Sequence, residues 1–152
     1  MLIIQVMFET GTLLYFEPFV FPDGGIPKAK YFVVLANVEQ NVLLASLPTS
    51  KDHVPSDIPL QAGCLELPER MVNVYVFLAS VQVTENGFCF PMNTFIYGAN
   101  IKTYDSELFV RQEQEGMTRI SVIGNLRKEL FESLKDCLRN SDAVRKRFKQ
   151  YL

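Results

Sequence analysis

Apolar and β-branched residues concentrate in short runs at 2–8, 12–21, 31–36, 42–47, 72–83, 88–97 and 119–123, each bounded by Gly, Pro, Asn or Asp. That spacing predicts many short strands. Residues 31–36 and 42–47 are separated by a polar stretch, Asn37 to Asn41, of the length a hairpin uses. A second hairpin is predicted in VQVTENGFCF, where Asn86-Gly87 supplies the positive-φ residues a tight turn demands. These strands are expected to form one curved antiparallel sheet. Between them lies 48–70, which carries four of the eight prolines and little periodicity, and reads as a long loop.

From residue 126 the period changes. Leu126, Leu130, Leu134 and Leu138 recur every fourth residue and, with Phe131, form one apolar stripe. This predicts a helix over 126–138 with Asn125 as its N-cap. A second short helix is predicted from Ser141-Asp142, burying Val144, Phe148 and Tyr151 or Leu152. Strands followed by terminal helices indicate an α+β fold, with a β-rich body over 1–124 and an amphipathic C-terminus over 125–152. The length of 152 residues fits a single domain.

Charge is distributed unevenly. Residues 1–125 carry 7 basic and 13 acidic side chains, net −6, whereas 126–152 carry 8 basic and 4 acidic, net +4. The basic end reads as a solvated helical face that is also able to meet RNA or an acidic partner. The three cysteines, Cys64, Cys89 and Cys137, are odd in number and widely spaced, which suggests reduced thiols in a reducing compartment and no zinc site. The N-terminal run MLIIQVMFETG lacks the basic region of a signal peptide and meets Glu9 too early to span a membrane, so it reads as a strand. A cytoplasmic protein with no membrane association is expected.

Nucleotide-fold, Walker and zinc-protease signatures are absent, and the single histidine, His53, excludes a multi-histidine metal site. Polar function concentrates in Pro48-Thr49-Ser50-Lys51-Asp52-His53, directly after a predicted buried strand. Thr49 and Ser50 suit a phosphate, Lys51 its charge, and His53 or Asp52 a proton transfer. The same residues also serve as ordinary turn and capping groups.

The order GTLLYFEPF, DGGIPKAK, YFVVLA and LLASLPTSK, followed by NTFIYG and ISVIGNLRKELFESL, resembles the PemK/MazF family of toxins over most of residues 11–138. The resemblance implies a small, strongly bent, SH3-like antiparallel β-barrel with C-terminal helices. It also implies a homodimer that cleaves single-stranded RNA without cofactor or metal, and an antitoxin-like protein partner. Thr49 falls at the family's catalytic threonine or serine, and Lys30 stands where the family has arginine. Lys30, Thr49 and His53 would then be catalytic, with Lys28, Ser50 and Lys51 holding substrate. Lysine offers a compact point charge in place of arginine's planar fork, so a barrel that keeps its shape and binds nucleic acid or protein without cleaving is the alternative. A further alternative is a structural or regulatory domain that associates through its C-terminal helices.

Overall fold

The computed structural model describes residues 7–51 and 53–152. The strands are β1 (Thr12–Phe19), β2 (Lys28–Val38), β3 (Asn41–Ser46), β4 (Gly63–Leu67), β5 (Val72–Phe77), β6 (Thr94–Tyr97), β7 (Lys102–Asp105) and β8 (Ile120–Asn125). The helices are α1 (Ser106–Gln114) between β7 and β8, then α2 (Lys128–Arg139) and α3 (Lys146–Lys149). The fold is α+β, and both of its sheets are antiparallel. A five-stranded sheet runs β7-β3-β2-β1-β8 and a three-stranded sheet runs β4-β5-β6.

This architecture corrects the expectation of one curved sheet. Strands β4, β5 and β6 pair only with one another while β7 and β8 return to the large sheet, and among the described residues neither sheet closes on itself as a barrel would. The chain changes layers right after β3, where the Phe95 amide donates to the Pro48 carbonyl at 2.9 Å and draws residue 48 to the edge of the small sheet. The segment 63–67, read as loop, is strand β4, paired to β5 from Gly63↔Val76 to Leu67↔Val72. Its short GCLEL pattern is overshadowed by the prolines on either side.

Both faces of the large sheet are buried, which explains why its strands read as near-continuous apolar runs rather than strict alternation. On one face Leu13, Val33, Leu35 and Leu43 pack with Tyr75 and Phe77 of the small sheet and with Leu134 and Leu138 of α2. On the other, Leu14, Phe16, Phe19, Phe32 and Val34 enclose Phe109 of α1 together with Phe8. The outer face of the small sheet, Val74, Val76, Phe95 and Tyr97, is covered by Val54 and Leu60 from the proline-rich segment. That segment is thus pinned by apolar contacts.

Other expectations shift by a turn or less. The 31–36/42–47 hairpin forms, with β2 and β3 paired from Phe32↔Ser46 to Val38↔Asn41. At the Asn86-Gly87 turn only Gly87 takes a positive φ, +96°, and the pairing is a minimal Gln82↔Cys89 bridge. Asn125 ends β8 instead of capping the helix, and Leu126 bridges to Thr84 through Thr84↔Leu126. The helix therefore begins at Lys128 behind Arg127. The second terminal helix shortens to α3, although Val144 and Phe148 are buried as expected. Helix α1 went unread because Leu108, Phe109 and Val110 are contiguous and give no helical spacing; Asp105 caps it by accepting from the Glu107 amide at 2.9 Å.

The N-terminal strand expected over 2–8 falls mostly outside the described residues. Of the remainder, Met7 is helical and Phe8 lies in a turn, its buried ring 5.8 Å from that of Phe109. Cys64 and Cys137 form a disulfide, with Cα atoms 5.6 Å apart, which corrects the expectation of unbridged thiols. Folding brings β4 and α2 side by side across 73 residues, a proximity no linear spacing reveals. Cys89 is free and exposed. Among the described residues no helix is long and apolar enough to cross a membrane.

Candidate anion-binding site

Strand alternation decides which lysines converge. Lys28 and Lys30 lie two residues apart at the start of β2, opposite Phe19 and Phe16 of β1. They therefore share the face that carries Phe32. Lys102 joins them from the sheet edge, where β7 pairs Leu44↔Lys102. A cavity of about 200 Å³ opens here, lined by Lys30, Lys102, Phe21, Tyr104, Ser46 and Asn100 together with the buried rings beneath them.

The environment of Lys30 is apolar and positive. Its Nζ sits 5.2 Å from the centre of the Phe21 ring and 5.8 Å from that of Phe32. Burial, followed by the charges of Lys28 and Lys102, lowers its pKa below the usual lysine value. Among the described residues none of these three lysines forms an ion pair. Tyr104 is half-buried, its ring 5.7 Å from that of Phe19. Burial, then the charge of Asp23, raises its pKa. Asp23 holds the nearby turn by accepting from the Gly25 amide at 3.1 Å.

Ser50 and His53 take another direction, and Asp52 lies outside the described residues. The Tyr97 hydroxyl of β6 donates to the Ser50 carbonyl at 2.5 Å, and the His53 ring meets Tyr97 edge-on with centroids 5.0 Å apart. His53 borders a second cavity of about 370 Å³ with Val54, Arg70, Met71, Asn73 and Tyr97. Arg70 there is engaged by Asp57, to which it donates at 2.9 and 3.0 Å. That carboxylate's pKa falls below its usual value, chiefly through the Arg70 hydrogen bond.

The predicted residues thus divide. Lys28 and Lys30 belong to the positive cluster, and His53 belongs to the second cavity. Thr49, Ser50 and Lys51 are exposed and line neither. Asn100, in the 3-10 turn Gly98–Asn100, borders both cavities. Lys102, Tyr104, Phe21 and Asn100 were missed in the sequence reading. The Lys102-Thr103-Tyr104 alternation was a visible strand signal, but its pairing beside Lys30 is a long-range fact of register.

The chain matches no protein-family model, no curated protein and no solved structure.

Proposed function

We propose that this chain is a binding module for single-stranded RNA, with Lys28, Lys30 and Lys102 taking phosphate and the Phe21 and Tyr104 rings offering base contacts. The observation that carries this reading is an aromatic cavity lined by Lys30 and Lys102, with the charge of Lys28 beside Lys30 and no ion pair to any of the three among the described residues. Clustered cations without an ion-pair partner are costly unless an anion neutralises them, and rings beside them suit the stacking that single strands provide. The PemK/MazF resemblance points to the same ligand class. It does not require a closed barrel for binding.

Binding is favoured over cleavage because the proton-transfer candidate, His53, and the Lys30 charge line different cavities, and Thr49 lines neither. A general acid or base must reach the reacting proton at hydrogen-bond distance. Fluorescence anisotropy with a labelled oligouridylate, run beside a gel assay for its cleavage, tests the reading. Saturable binding with intact RNA supports it. Absence of binding overturns it, and cleavage lost in both Lys30→Ala and Thr49→Ala would restore the ribonuclease reading.

A further inference from the structure

Helix α2 is tied to the small sheet by the Cys64–Cys137 disulfide, whose Cys64 half is exposed and whose Cys137 half is buried. Directly against Cys137 lies Asn73 of β5, which is only 4% exposed. Its Nδ2 donates to the Cys137 carbonyl at 3.1 Å and to Glu66 Oε1 at 3.0 Å, and lies 3.4 Å from Cys137 Sγ. Those partners fix the orientation of the amide. At its other end Oδ1 has no hydrogen-bond partner and presses on Gly98, where an added Cβ would lie 2.2 Å away. Val144, just beyond α2, presses on the same glycine, with Cγ2 2.8 Å from that Cβ position. Gly98 opens the turn whose last residue, Asn100, borders both cavities.

A contiguous packed path therefore runs from the disulfide through Asn73 to Gly98 and on to Asn100. Such a path carries coupling when one end has two discrete states, and a disulfide has two. We propose that the Cys64–Cys137 disulfide is a redox control on the ligand site, holding the Gly98–Asn100 turn in its binding arrangement when oxidised and releasing it when reduced. In its output it rests on the RNA-binding reading above.

The chemistry needs a dithiol reductant. Its thiolate attacks the exposed Cys64 Sγ, the S–S bond breaks, and its electron pair leaves on Cys137 Sγ, which takes a proton. The reductant's second thiol then attacks the mixed disulfide and frees Cys64 as a thiol. Two electrons and two protons pass to the protein, and the reductant becomes a cyclic disulfide. With the covalent tie gone, α2 and the Val144 segment are free to draw away from β5, which takes the Val144 methyl off Gly98 and leaves the Asn73 amide without its Cys137 carbonyl partner.

The test uses the full chain. Affinity for a labelled oligouridylate is measured in the oxidised state and after reduction with dithiothreitol, with Cys64→Ser as a fixed reduced form. Amide hydrogen exchange is followed in the free protein in both states. The expected result is binding at least about fivefold weaker on reduction, the low end of typical coupling between sites. Cys64→Ser should match the reduced protein and ignore the reductant. Exchange at Gly98, Ala99 and Asn100 should quicken while β1 and β2 keep their protection. Equal affinity in the two states overturns the proposal. If the oligonucleotide binds in neither state, the RNA reading falls by itself and exchange decides the linkage: quickening at 98–100 with β1 and β2 still protected supports it, and unchanged exchange at 98–100 overturns it. Loss of protection throughout β1 and β2 also overturns it, because the tie would then support the whole fold and not the site.

Discussion

Lys30 holds its ammonium 5.2 Å from the ring centre of Phe21, on a sheet face where Lys102 and Lys28 add charge of the same sign. The cation–π contact offsets part of the desolvation of Lys30, and the two neighbours work against it. Such an arrangement favours a ligand over stability.

Lys30 should therefore destabilise the empty protein. Its folded-state pKa lies below its unfolded value of about 10.5, so between those two values the unfolded chain binds more protons. Stability then rises with pH across that window, and below it the charge penalty is present in full. Lys30→Met should melt higher than the parent at neutral pH. The gap should close as pH climbs through the window, which calorimetry of both proteins across neutral and alkaline pH would show. A variant that melts lower at neutral pH would refute the claim.

In α2 the stripe is not uniform, because Leu134 and Leu138 are fully buried whereas Leu130 is only partly so. Leu134→Ala should cost about 2–5 kcal/mol, and Leu130→Ala distinctly less. At roughly 2–4 °C per kcal/mol for a chain of this size, thermal melts resolve the two. Equal losses would mean that the helix sits in a different rotation.

Gly98 is required by proximity rather than by its backbone angle. A methyl there would lie 2.2 Å from Asn73 Oδ1, an atom whose amide is fixed by the Glu66 and Cys137 contacts. Gly98→Ala should cost about 1–3 kcal/mol through overpacking. Urea unfolding that shows no loss would place Asn73 elsewhere.

Peptide mapping without reduction should recover the Cys64 and Cys137 peptides as one linked species, with Cys89 alkylated. Closing a 73-residue separation restricts the unfolded chain by about 4 kcal/mol on the chain-entropy account. Reduction should therefore lower the melting temperature. Free thiol at both positions in native protein kept from reductants would contradict the pairing.

Local signals in the sequence were reliable where one residue's neighbours decide its conformation. The β2–β3 hairpin, the positive φ of Gly87 and the buried Val144 and Phe148 all follow from nearby pattern. Long-range facts escaped. The split into two sheets is a matter of β4, β5 and β6 pairing among themselves, and the disulfide turns on β4 meeting α2. The site was half legible for the same reason: Lys28 and Lys30 alternate within one strand, whereas Lys102 reaches them only through the pairing of β7 with β3. His53 read as their companion because it follows β3 in sequence, yet the chain had by then crossed to the small sheet.

The most direct measurement of the RNA-binding account is the salt dependence of oligouridylate affinity for the parent and for Lys30→Ala. Each phosphate neutralised on a single strand contributes a slope of about −0.7 in log affinity against log salt. Lys30 and Lys102 in the cavity and Lys28 beside them predict a parent slope near three such contributions, about −2, and removing Lys30 should reduce it by about one contribution with the fold intact. A flat salt response, or a slope unchanged in Lys30→Ala, would contradict the account.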